Sequence, residues 1–232
     1  MDDPGRDRAA LLAFIAGDPD LASLLDEARD RMSRDPGHDV HHALRVALEA
    51  VRIGREEGVP PRLCAAAALL HDIVPVAKDS PERARASALC AEEASRILAG
   101  RGWPAAERDL VAGAVRDHSF SRGSVPESPL GRALQDADRL DALGALGIMR
   151  TVSTGVLMGA DYFDPEDPWA RGRPLDDRAH SVDHFFVKLL RLPATMRTAA
   201  GRREAERRAR FMEEFLRELG SEIGEPPPGA SG

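Results

Sequence analysis

The chain has 232 residues, an apolar fraction of 43% and a formal charge of −7, which allows one domain with a full core or at most two small ones. This acidic balance, with a pI near 5.6, gives no electrostatic footprint for polymeric DNA or RNA, so an anionic ligand needs a local cluster of arginines or a metal. The first residues, Met1 to Asp7, lack a basic region followed by an apolar one, and the longest apolar run, residues 63–70, is too short for a bilayer, so neither export nor membrane insertion is expected.

Periodicity of 3.6 residues dominates, with no sustained alternation of β-branched residues, so the expected fold class is all-α: an irregular helical bundle in a single domain. A first helix is predicted over about 7–33, with a break near Gly17-Asp18-Pro19, and Asp35-Pro36-Gly37 stops it. The second starts at His38-Asp39, with Asp39 as cap, and ends near Gly58. A third covers about 62–74, and a fourth runs from Pro81 to Gly100 with Ser80 as cap. A fifth runs from Pro104 to Asp117-His118, Ser124 to Pro129 reads as loop, and a sixth carries Ala133 to Leu146. Residues 159–174, rich in breakers and holding Tyr162, Phe163 and Trp169, form a loop long enough to serve as a lid. Asp176-Asp177 caps a helix through Leu192, and a last amphipathic helix spans about Thr195 to Leu219. The folded domain is placed at 1–223 and a disordered tail at 224–232.

Three separated motifs carry the chemistry: His42 with Arg45 and Val46, the pair His71-Asp72, and Asp138 with Arg139 and Leu140. The pair interrupts the apolar run Cys64 to Leu70, and polar groups there are costly to bury unless paired or coordinated. On a helix His42, Arg45, Val46 and Glu49 share one face, so an imidazole and a guanidinium line one stripe. Two imidazoles and two carboxylates make a set for a divalent ion. Cys64 and Cys90 sit in alanine-rich helices without metal-ligand spacing and read as buried thiols, which suits the cytoplasm. All but two of the 32 basic residues are arginine, the others being Lys78 and Lys188, so a single arginine carries little weight.

This order of a histidine, then His-Asp, then an aspartate resembles the HD-domain metal-dependent phosphohydrolase superfamily. The segments Gln135 to Arg150, Pro174 to Arg178 and Asp183 to Pro193 are similar to its bacterial YedJ/YpgQ-like branch, over roughly residues 25–220. The resemblance implies an all-α HD fold with a divalent ion, manganese or magnesium, held by His42, His71, Asp72 and Asp138. Its YpgQ-like side implies pyrophosphohydrolysis of nucleoside triphosphates, with a nucleoside monophosphatase as the near alternative and a nucleotide sensor without turnover as a third reading. The di-metal members draw two further histidines from between the His-Asp pair and the final aspartate. Here that interval holds only His118, which becomes a candidate general acid or phosphate contact, with Asp72 also counted in the catalytic set.

Arg45 and Arg139 are candidate phosphate contacts, against ordinary surface ion pairs. His184 and Lys188 lie one helical turn apart in a branch-like segment and are assigned to substrate, while His180 and His41 read as surface. His38 also joins the substrate set, since a helix start beside substrate and simple capping both fit the pair His38-Asp39. Asp136 and Asp141 are read as capping groups or supports of the ligands. The expected partner is a small phosphorylated molecule, a nucleotide in the first instance, with no nucleic-acid polymer and no membrane; a monomer and a homodimer both fit.

Overall fold

The computed structural model describes residues 3–33, 35, 37–76, 80–119 and 124–227. Ten α-helices run through it: α1 (Arg8–Ala16), α2 (Pro19–Arg31), α3 (Val40–Glu56), α4 (Pro61–Leu70), α5 (Ala86–Gly100), α6 (Ala105–Asp117), α7 (Pro129–Leu140), α8 (Gly144–Leu157), α9 (Ser181–Val187) and α10 (Ala199–Ile223). Among the described residues there is no strand, only an isolated parallel bridge between Asp161 and His180. The all-α expectation therefore holds. No single helix among the described residues is long and apolar enough to cross a membrane.

Contacts gather in two compact units, Met1–Arg139 and Leu140–Gly232. In the first, α4 is the buried axis: every residue from Leu63 to Leu70 is buried, and α2, α3, α5 and α6 all pack on it. A helix that is apolar on every side has to be surrounded in this way. Its four consecutive alanines and Gly54 of α3 allow a close approach, since a Cβ at Gly54 would stand 2.4 Å from the Cys64 sulfur. Pro61 suits the first turn of α4, where its missing N–H costs nothing. Arg62 clamps that end to α2 through Asp18 (2.8 Å) and Asp20 (2.6 Å), with its guanidinium over the Trp103 ring.

The break at Gly17-Asp18-Pro19 is real: Asp18 caps α2 by accepting from the Asp20 and Leu21 N–H groups, and Pro19 takes the first helical position. Other boundaries differ from expectation. Helix α4 stops at Leu70, so His71 and Asp72 lie on a turn beyond it and not within a helix. Residues 81–85 form a 3-10 turn before α5. Helix α7 begins at Pro129 because Ser128 caps it, its hydroxyl accepting from Gly131 N. It ends at Leu140, and the separate helix α8 follows from Gly144, whose φ of +74° turns the chain.

In the second unit α10 packs on α8 and on the 3-10 turn Leu189–Thr195, which replaces the expected end of the helix through Leu192. Phe185 of α9 stacks on Phe215 of α10 at 6.0 Å. The loop 159–174 is anchored by Arg173, which makes a two-point ion pair with the fully buried Asp183 (2.6 and 3.0 Å). Trp169 is buried in packing contacts, its indole N–H donating to the Glu225 carbonyl at 2.5 Å. The tail expected from Gly224 starts within the described residues. Gly224 caps α10 in the left-handed region, and the Glu225 and Pro226 carbonyls accept from Trp169 and Arg171. Residues 228–232 lie outside the described residues.

Candidate metal centre

Asp39 caps α3, its carboxylate accepting from His42 N at 2.8 Å, which fixes the first turn and turns the His42 ring inward. His42 is 1% exposed, whereas His41 beside it points outward as expected. His71 occupies the C-cap of α4, where helix carbonyls lack partners. Its Nδ1–H donates to the Ala68 carbonyl at 2.7 Å, leaving Nε2 with a lone pair. Asp138 enters from the last turn of α7.

These residues converge within the first unit. His42 Nε2 lies 3.1 Å from His71 Nε2 and 3.4 Å from Asp138 Oδ1. His71 Nε2 lies 3.6 Å from Asp72 Oδ2 and 3.9 Å from Asp138 Oδ1. One donor atom each from His42, His71 and Asp72 fall within 4.8 Å of one another. Donors arranged about one ion at about 2.1 Å have separations of this size. The set also fits by its chemistry: imidazole lone pairs and two carboxylates crowded together repel one another, and a cation relieves that repulsion.

The electrostatics keep the donors in their binding forms. Burial pushes the His71 imidazole below its ordinary value despite the raising pull of Asp72, so the ring is neutral. Burial raises Asp72, but the facing His71 and His118 outweigh it and hold the carboxyl below the usual range. Asp138 follows the same balance, with burial overcome by the hydrogen bond to His42 and by His71 and His118. Each carboxylate keeps 27% of its side chain exposed, so the site opens toward solvent on their side.

His118 belongs to the same cluster. It caps α6, donates Nδ1–H to Val115 O at 2.6 Å and presents Nε2 at 3.9 Å from Asp72 Oδ1. His38 is half-buried at the start of α3, its ring 6.0 Å from that of His42 and its Nδ1 3.4 Å from Asp35. Arg139 is buried and Arg45 half-buried, and both are engaged within the protein. Asp136 is fully buried, and Asp141 receives the Arg150 guanidinium at 2.5 Å.

His184 and Lys188 lie in the second unit, where with Arg178 they line a cavity of about 450 Å³ beside α8 and α9. His184 Nδ1 donates to Asp177 at 2.8 Å. His180 is half-buried, not on the surface, with Asp164 at 3.6 Å. Sequence reasoning did not single out Arg150 or Arg178 for this cavity. The signal available was the pair of charged residues Asp177 and Arg178, seven and six residues before His184.

Residues 39–143 match the HD domain family model. YpgQ of Bacillus subtilis strain 168, described as uncharacterised, is 36% identical over 191 residues, covering 81% of this chain and 85% of that one. The chain belongs to the HD domain family, on its YpgQ-like branch. Among solved structures, B. subtilis YpgQ in complex with ADP matches with a TM-score of 0.68 at 31% identity, covering 90% of this chain and 95% of that chain. An HD-superfamily hydrolase from Bacillus thuringiensis matches at 0.69 and 31%, covering 88% and 96%. The likeness runs through both units, so the all-α HD fold extends beyond the segment matched by the family model.

Proposed function

We propose that this chain is a divalent-metal-dependent phosphohydrolase that cleaves a phosphate ester or anhydride in a nucleotide, with loss of pyrophosphate from a nucleoside triphosphate as its first candidate reaction. The observation that carries this reading is the convergence of His42, His71, Asp72 and Asp138, with neighbouring donors 3.1 to 3.9 Å apart. These four residues would hold manganese or magnesium. When bound, such an ion lowers the pKa of a coordinated water and neutralises phosphoryl charge.

The chain's own residues do the rest. The Ala68 carbonyl holds His71 in the tautomer that keeps its Nε2 lone pair on the site, and Asp39 fixes the turn that carries His42. Val115 does for His118 what Ala68 does for His71, so the His118 Nε2 is the atom that gives or takes a proton beside Asp72. Arg45, Arg139 and His38 supply positive or hydrogen-bonding groups for the phosphate on that unit, and within the second unit His184 of α9 and Lys188, which caps it, are the proposed substrate-binding residues. Nucleotide is preferred because the YpgQ relative was crystallised with ADP. The functional domain is taken as residues 1–223. The cytoplasm is inferred from two buried free thiols, which need no oxidising compartment.

The test is release of orthophosphate and pyrophosphate from a panel of nucleotides with added manganese. Pyrophosphate released over many turnovers establishes the proposed reaction. Orthophosphate from monophosphates moves the assignment to a nucleotidase, and stoichiometric binding without turnover leaves a sensor and overturns the enzyme reading.

A further inference from the structure

Gln135 of α7 is fully buried, and its side-chain amide makes two hydrogen bonds to backbone outside its own helix. Nε2 donates to the Asp117 carbonyl at 2.9 Å and to the Ser124 carbonyl at 3.0 Å. The amide nitrogen carries two N–H donors and the amide oxygen none, so two carbonyls meeting one end of the side chain identify that end as the nitrogen. Asp117 is the last residue of α6, where a backbone carbonyl has no partner within the helix, and His118 follows it as the C-cap. The amide therefore closes the helix end that carries His118, and its second bond holds the chain again at Ser124, before α7 begins.

The same helix carries a metal donor. Gln135 lies three residues before Asp138, so the two side chains leave α7 about one turn apart on neighbouring faces. Asp138 joins the donor cluster, while Gln135 ties the end of α6 to α7. The position of His118 Nε2, 3.9 Å from Asp72 Oδ1, thus depends on two bonds of different rank. The Val115 carbonyl, 2.6 Å from Nδ1, orients the ring relative to α6, and the Gln135 amide orients the end of α6 relative to the helix of Asp138.

We infer that Gln135 is a positioning residue for proton transfer: by holding the Asp117 carbonyl it sets where His118 Nε2 stands relative to Asp72 and Asp138, and it acts through His118. The inference deepens the hydrolase reading and rests on it for the role of His118.

The experiment compares the full-length parent with Gln135→Met, which keeps the length of the side chain and removes both donors. The first readout is the nitrogen-15 spectrum of the histidine rings in the metal-free proteins, with the His118 signal assigned by its loss in His118→Ala. The parent should show His118 as a single tautomer with its proton on Nδ1, and Gln135→Met should show a mixture. The second readout is kinetic. Gln135→Met should lower kcat about tenfold at the manganese affinity of the parent, and the same substitution made in His118→Ala should lower kcat no further. An unchanged His118 signal in Gln135→Met, or an equal loss of kcat with and without His118, overturns the inference. If Gln135→Met lacks the circular dichroism spectrum of the parent, Gln135→Asn takes its place, since it keeps the amide one methylene short of the two carbonyls, and the same outcomes are expected. A parent that never turns over sinks the hydrolase reading, and the ring spectrum then decides the placement of His118 by Gln135 on its own.

Discussion

His71 and His118 occupy the same position at the ends of two different helices: each is a C-cap, each donates Nδ1–H to the carbonyl three residues earlier, at 2.7 and 2.6 Å, and their rings meet edge to face at 5.1 Å. One local device thus satisfies two helix ends and aims two Nε2 atoms at Asp72. The difference between them is distance to the other donors. His71 Nε2 is 3.1 Å from His42 Nε2, whereas His118 Nε2 approaches the cluster at Asp72 Oδ1, 3.9 Å away.

Replacement of His118 should therefore separate chemistry from metal. His118→Ala is expected to retain manganese with an affinity close to that of the parent and to lower kcat by about 10²- to 10⁴-fold, the usual loss of a general acid or base. Metal titration beside steady-state kinetics checks this. Loss of the metal together with activity would make His118 a ligand instead.

Gly54 sets the spacing of the two helices that carry His42 and His71. A Cβ at that position would collide with the Cys64 sulfur at 2.4 Å, and Cys64 is fully buried, so the pair has little room to yield. Gly54→Ala should cost about 1–3 kcal/mol in urea denaturation. Adding Cys64→Ala should recover part of that loss, because the two changes share one contact. Additive losses would show that the sulfur is not the obstacle.

Both thiols should be silent in the folded protein. Burial pushes Cys64 and Cys90 up to about 12, so neither is a thiolate at pH 8. A disulfide-exchange reagent is expected to titrate no thiol in the native chain and two after denaturation. Rapid reaction of either in the native state would contradict the packing around α4 and α5.

Glu204 of α10 gives the second unit a pH-dependent contact. Hydrogen bonds from Arg207, and then Arg208, outweigh burial and hold the carboxyl at about 2, against 4.5 for the free group. A lowered folded value means that the stabilisation is complete above pH 4.5 and is lost as pH falls toward 2. Arg208 also donates to the Leu140 carbonyl at 2.7 Å, linking α10 to the turn before α8. Glu204→Gln should lower stability by about 0.5–1 kcal/mol at pH 7, a figure reduced for solvent screening, and by progressively less as pH approaches 2. An equal loss at pH 7 and pH 2.5 would show that the charge is not responsible.

The residues with local physical meaning were legible in sequence. Asp39 and Ser80 cap as their side chains require, and Gly17-Asp18-Pro19 breaks the first helix where an Asp cap and a Pro at N1 coincide. His42 was distinguished from His38 and His41 only through the family-like frame His-x-x-Arg-Val, since periodicity alone cannot choose between neighbours on adjacent faces. Helix α8 was missed because Gly144, Gly147 and Gly155 lower helix propensity, while its close contacts supply the compensating reason for those glycines. A Cβ at Gly147 would stand 2.2 Å from the Ala142 carbonyl. The Arg173–Asp183 pair and the contact of Trp169 with Glu225 join residues across loops, and no spacing rule reveals them.

The most direct measurement is a manganese titration of the metal-free chain, read as bound ions per protein, for the parent and for His71→Ala and Asp138→Ala. One ion per parent chain, lost in both variants while the helical circular dichroism signal persists, is the expected result. Equal manganese binding by the parent and either variant would contradict the assignment of His42, His71, Asp72 and Asp138 to one ion.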